Sequence, residues 1–166
     1  GRGADPQAVS DLRALMGYRT PLRDELIEYL HLIQDTHHHI SSRNLAALAE
    51  VMELSMAEVF ETATFYAHFD VVGDEDTPPP ELTIRVCDSL SCQISGAAEL
   101  KALLDERTDD NVRVITAPCM GRCDRAPVVA VGENHLTAAD AETIVRAVDA
   151  GEREAVVAGY VDLEDY

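Results

Sequence analysis

Leu82-Thr83-Ile84-Arg85-Val86-Cys87-Asp88-Ser89-Leu90-Ser91-Cys92 decides the reading of this chain. Its first half alternates, with Leu82, Ile84 and Val86 on one side and Thr83 and Arg85 on the other, the period of a strand. The strand delivers Cys87 at its end, and Cys92 follows at C-x4-C spacing. The other two cysteines, Cys119 and Cys123, stand at C-x3-C spacing in Pro118-Cys119-Met120-Gly121-Arg122-Cys123.

Two close thiol pairs are what one four-thiolate site needs. Thiolates are soft ligands, and four of them suit an iron–sulfur cluster or zinc. The surrounding loops are short and rich in small residues, which lets backbone N–H groups turn toward sulfur. Spacing leaves three readings open. A [2Fe–2S] cluster takes two thiolates per iron and is served directly by two pairs. Zinc takes the same ligands, although C-x2-C pairs are commoner for it. Disulfides are the outcome if the chain is exported.

Further strands and helices follow from the same patterns. Ser95 is expected to cap a helix through Leu104, with Leu100, Leu103 and Leu104 inward. Val112-Arg113-Val114-Ile115 and Pro127-Val128-Val129-Ala130-Val131 read as strands, Gly132-Glu133-Asn134 as a turn, and His135-Leu136 as a short fourth strand. Thr137 to Asp140 caps a last helix through Val148. Residues 81–150 thus form a β-α-β-β-β-α domain with both cysteine pairs in loops at strand ends.

Upstream, residues 21–70 read as helices throughout, a small antiparallel bundle. Thr20 caps and Pro21 opens the first, which buries Leu22, Leu26, Tyr29, Leu30 and Ile33. Ser41 or Ser42 caps the second, with Leu45, Leu48, Ala49 and Met52 inward. Ser55-Met56-Ala57-Glu58 is a capping box for the third, which is expected to bury Met56, Val59, Phe60 and Ala63. Residues 1–20 are a leader with one helix, Ala8 to Met16, ended by Gly17. Residues 71–80, with three prolines, are a linker. Residues 151–166 are an acidic tail whose stretch Ala155 to Val161 is too apolar to stay solvated. The expected occupant beneath it is another module, with packing across its own sheet or the bundle as the alternative. The fold class is α+β.

The chain has 166 residues, 46% hydrophobic and 27% charged, an ordinary globular composition. No apolar run approaches the roughly 18 residues of a membrane span, so no membrane contact is expected. The start lacks the apolar core of a signal peptide, so a cytoplasmic, reducing compartment is the default, which favours metal over disulfides. Thirty-one acidic residues against thirteen basic ones, net −18, argue against nucleic acid, and no such partner is expected. The charge suits a partner with a basic face, and equally plain solubility.

Further residues carry the resemblance. Leu32-Ile33-Gln34, Glu61-Thr62-Ala63-Thr64-Phe65-Tyr66, Val86-Cys87 through Cys92, and Cys119 through Cys123 followed by Ala126-Pro127 together resemble the small thioredoxin-like [2Fe–2S] subunit of respiratory complex I, the NuoE type. The similarity extends to the gamma subunit of NAD-dependent formate dehydrogenase and the diaphorase subunit of NAD-reducing hydrogenase. It covers about residues 20–150. The resemblance implies an N-terminal helical bundle followed by a thioredoxin-like domain holding one [2Fe–2S] cluster on Cys87, Cys92, Cys119 and Cys123. It also implies a flavin/NAD-binding partner of the NuoF type carrying FMN and the NAD(H) site, either a separate subunit or a module fused C-terminally. The short interval between the pairs, residues 93–118, points to a formate-dehydrogenase or hydrogenase version. A zinc-stabilised interaction domain without redox role is the alternative from another class.

Other candidates carry less. His37-His38-His39 sits where one helix ends and another begins, and solvated histidines are the reading taken. His68 and His135 stand alone and are read as structural. Phe65 and Tyr66 read as core or interface. No phosphate-cradling glycine loop, nucleophile–base pair or dinucleotide fingerprint occurs. No catalytic residue is assigned, and the chain alone is not expected to oxidise NADH.

Overall fold

The structure, a computed structural model, describes residues 3–73 and 75–156. The chain divides into two compact units, Gly1–Pro79 and Pro80–Tyr166, each with its own apolar core.

The first unit is mainly helical: α1 (Pro6–Leu15), α2 (Leu26–His37), α3 (Ser42–Val51) and α4 (Met56–Phe65). Asp5 caps α1 by accepting from the Gln7 amide, and Pro6 fills the first helical position. Ala8, Leu12 and Met16 then enter the same core as Leu30, Ile33, Leu45, Leu48 and Val59. The segment expected as a leader is therefore a working part of this unit. Thr20 and Pro21 do not start α2. A short 3-10 turn at Arg23–Glu25 precedes it, and the Leu22 amide donates to Glu25 Oε2 at 2.9 Å. Leu22, expected inside, is 58% exposed as a result.

Two short strands were not expected. β1 (Ile40–Ser41) pairs in parallel with β2 (Val71–Val72), which puts the start of the expected linker into the first unit. Gln34 secures this return: Asp70 N donates to its Oε1 at 3.1 Å, and its Nε2 donates to the His68 carbonyl at 3.3 Å. A buried amide with both ends partnered satisfies backbone groups that the bundle otherwise strands.

Ser41 caps α3 and accepts from the Asn44 amide at 3.1 Å. Ser41→Ala is expected to lower the stability of the chain by about 1 kcal/mol. A urea midpoint equal to that of the parent chain contradicts this. Ser55 likewise accepts from the Glu58 amide at 3.2 Å. The Glu58 side chain does not return to close the box, because it pairs with Arg23. On α4 only Val59 and Ala63 are buried. Met56 and Phe60, expected inside, are exposed, as are Phe65 and Tyr66. The inward stripe of α4 is narrow because it leans on α2 and α3 along one line.

The second unit runs β3 (Leu82–Cys87), α5 (Leu90–Ile94), α6 (Ala97–Arg107), β4 (Val112–Ala117), β5 (Val128–Val131), β6 (Asn134–Thr137) and α7 (Ala141–Asp149). Its sheet has the order β4-β3-β5-β6, with β3 parallel to β4 and antiparallel to β5. The fold class is α+β, as expected from the sequence. Leu82, Ile84, Val86, Val129 and Val131 meet Leu100, Leu104 and Ile144 in the core. Burying a large aliphatic side chain stabilises by about 1.5–3 kcal/mol each, so these positions hold the sheet to α6 and α7.

Details differ from expectation. An extra helix, α5, runs through the C-x4-C loop. Gly96, at φ +85°, and not Ser95 precedes α6. Only Gly is comfortable in the left-handed turn that swings the chain from one helix into the next. Leu103, expected inward, is 42% exposed. The α7 cap is Asp140, the last of the four residues expected to cap it, which accepts from the Thr143 amide at 2.8 Å. That amide, together with the Thr143 hydroxyl, holds the Asp140 carboxyl below the usual carboxylate range.

Candidate metal centre

Parallel pairing of β3 with β4 brings the two cysteine segments together. Cys87 is the last residue of β3 and stands opposite Ala117, the last residue of β4. The Asp88 amide donates to the Ala117 carbonyl at 3.0 Å, so the chains leave the sheet side by side. Cys92 lies in α5 and Cys123 opens a 3-10 turn at Cys123–Arg125. Two of the four cysteines thus sit on helical turns, where loops were expected.

The pairs differ in exposure. Cys87 and Cys92 are each 1% exposed, while Cys119 and Cys123 are exposed. The outer sulfurs approach to 3.4 Å, and the Gly121 amide donates to Cys119 Sγ at 3.4 Å. Gly121 does this at φ +78°, a conformation that costs a residue with a Cβ but not glycine. Ser89 Oγ lies 3.1 Å from Cys87 Sγ.

Acidities alternate within each pair. Burial alone would push the Cys87 thiol up, but the Ser89 hydroxyl and amide, Cys92 and the Met120 amide bring it below the usual thiol value. Burial and the hydrogen bond with Cys87 push Cys92 up. The Gly121 amide, then Cys123, hold Cys119 down, and the bond with Cys119 pushes Cys123 up. Within each pair one thiol is thus held below the usual thiol value and its neighbour above it. The Ser89 hydroxyl draws Cys87, Cys92 and Cys119 alike downward.

The donor set fits a two-iron cluster. Four thiols stand two and two, backbone amides are aimed at sulfur, and one pair is shielded from water. Such amide hydrogen bonds offset the negative charge of thiolate-bound iron. Among the described residues, no three His, Cys, Asp or Glu side chains converge as the ligands of a single ion do. Asp124 and Arg125 form a loose pair at 3.7 Å on the exposed side.

Sequence reasoning missed Ser89 and Gly121 as contributors. The signal was present, in a serine two residues after Cys87 and in the lone glycine of the C-x3-C segment. It also missed Leu90 and Ile94, 76% and 78% exposed on α5 beside buried Cys92. His37 and His38 are exposed, and His38 ends α2 at φ +61°. His39, also expected to be solvated, is half-buried.

A model of the thioredoxin-like [2Fe-2S] ferredoxin family matches residues 13–152. An E-type subunit of the NADH-quinone oxidoreductase of Rhizobium meliloti is 28% identical over 143 residues, covering 79% of this chain and 82% of the relative. The E-type subunit of the Buchnera aphidicola NADH-quinone oxidoreductase is 27% identical over 137 residues, covering 77% of each. The fold is similar to a chain of an NAD+-reducing [NiFe]-hydrogenase crystal structure, with a TM-score of 0.59 and 23% identity. That match takes in 76% of this chain and spans 23% of the hydrogenase chain.

Proposed function

The chain belongs to the thioredoxin-like [2Fe-2S] ferredoxin family, and on that premise we propose that it is an electron-transfer component of an NAD-linked oxidoreductase. Cys87, Cys92, Cys119 and Cys123 hold its one [2Fe–2S] cluster. The observation that carries this reading is the pairing of a buried and an exposed dithiol at the ends of adjacent strands.

When bound, the cluster supplies a site that takes or gives one electron at a time. The chain's residues do the rest. Cys87 and Cys92, buried against the core, keep water from the inner side. The amides of Met120 and Gly121 and the Ser89 hydroxyl offset negative charge on sulfur. Cys119 and Cys123 are exposed and would leave the cluster open to a partner on that side. Leu90 and Ile94 offer exposed apolar surface on α5, the helix that carries Cys92.

The FMN and NAD(H) sites belong to a flavin-bearing partner, separate or fused. Support comes from the relatives, which are named as subunits of NADH-quinone oxidoreductase, and from the hydrogenase chain, in which the matching fold is a minor part. The exposed Met56, Phe60, Phe65 and Tyr66 of the helical unit offer a second surface to the same assembly. No helix among the described residues is long and apolar enough to cross a membrane.

Anaerobic purification from iron-replete cells is expected to give about two irons and two acid-labile sulfides per chain. Dithionite should add one electron and a paramagnetic signal. Stoichiometric zinc without iron overturns the assignment and restores the interaction-domain reading. Capture of the native chain with a flavin-containing partner tests the second half of the proposal.

A further inference from the structure

The apolar stretch of the expected tail falls mostly on residues 157–166, outside the described residues. Within the described part of the second unit, α5 starts at Ser89, and this serine is used differently from the other serines that open a helix. Ser41 and Ser55 each accept a backbone amide of the helix they precede, as Asp5 and Asp140 do. Ser89 has the same extended backbone, φ −67° and ψ 160° against −78° and 157° at Ser41. Its side chain nevertheless accepts no amide of α5. The hydroxyl lies 3.1 Å from Cys87 Sγ instead. A serine at this position ordinarily stabilises its helix, and α5 goes without that support while the hydroxyl serves sulfur.

The chemistry of the site fixes the direction of this hydrogen bond. A cysteine that binds iron is a thiolate and has no proton to give, so Ser89 donates and Cys87 accepts. Cys87 is 1% exposed, and its sulfur draws on protein donors, whereas the exposed Cys119 and Cys123 are open to water. Away from water a hydrogen bond is electrostatically stronger. A hydrogen bond to an ionised acceptor is also stronger than one to a neutral acceptor. Reduction adds one negative charge to a cluster. A donor on a ligand sulfur therefore favours the reduced state and raises the potential.

We propose that Ser89 is a positioning residue of the electron-transfer site: its hydroxyl is withheld from the start of α5 and donates to Cys87 Sγ, which raises the reduction potential of the cluster. Ser89 thereby sets how readily the cluster takes its electron, a property that four thiols alone do not fix. The proposal rests on Cys87 being a cluster ligand.

Redox titration of the full chain with its cluster, purified anaerobically, tests it with S89A and S89T. At a fixed potential, S89A should show a reduced-to-oxidised ratio about ten-fold below that of the parent chain, which is about 59 mV for a one-electron couple. S89T keeps the hydroxyl and should return to within about two-fold of the parent ratio. The urea midpoint of S89A should match that of the parent, because the hydroxyl caps nothing. An S89A ratio within about two-fold of the parent's overturns the proposal. So does S89T behaving as S89A, which assigns the effect to packing of the side chain. A lower urea midpoint without a shift in potential also overturns it and makes Ser89 a helix cap. Iron lost from S89A but kept by S89T overturns it as well and makes the hydroxyl a means of retaining the cluster. A parent chain that binds no iron fails the cluster reading too, whereas a normal cluster of unchanged potential in S89A fails this proposal alone.

Discussion

Cys92→Ser is expected to leave the chain with less than about a tenth of its iron, since cluster potentials and retention rest on thiolate ligation. The position is 1% exposed, so solvent cannot take the place of the missing sulfur. Serine oxygen is a harder ligand than thiolate, and its shorter reach leaves a gap against the Val128 amide that acts on the native sulfur. Cys123→Ser should be milder. Its side chain is exposed, a water can complete the site, and a residual cluster with a shifted potential is the expected product. Iron analysis and visible absorption after anaerobic purification measure both. Unchanged iron and spectra across serine variants at all four cysteines would rule these residues out as the ligands. The helical circular dichroism of the first unit should persist in every case, because its core holds no cysteine.

Leu48→Ala is expected to cost about 2–5 kcal/mol, the range for emptying a fully buried leucine site. Leu48 is 0% exposed and shares its core with Leu30, Ile33, Leu45 and Val59, themselves 0% exposed, and a close-packed interior of this kind relaxes only partly around a lost side chain. The loss should fall on the first unit. Iron per folded chain should stay at the parent level, because the cysteines draw on a separate core. Chemical denaturation followed by circular dichroism gives the first quantity, and iron analysis of the native fraction the second. A cluster lost in step with the helical transition would mean that the two cores unfold as one.

Much of the fold was legible because local chemistry and tertiary need agree. The alternation from Leu82 to Val86 marked β3, the helical spacing of Leu26, Tyr29, Leu30 and Ile33 marked α2, and Ser41, Ser55 and Asp140 marked helix starts. Misreadings occurred where an apolar residue has no partner to bury it. Leu22, Phe60 and Leu103 fit helical stripes by spacing, yet each stands where no second element reaches it. The β1–β2 pair was hidden for the opposite reason. Two-residue strands carry no period, and the pairing of Ile40 with Val71 depends on Gln34 bringing residues 68–70 back across the bundle.

The sequence by itself determined the donor set, four thiols in two close pairs, and the α+β class, because spacing along a chain and periodicity are local properties. Only the tertiary structure decided which pair is buried, which amides face sulfur, and that the Ser89 hydroxyl lies against Cys87. Those features arise where β3 and β4 run parallel and end together at Cys87 and Ala117. Exposure and hydrogen bonding there depend on contacts between residues far apart in the chain, and no local pattern encodes which distant strand will arrive.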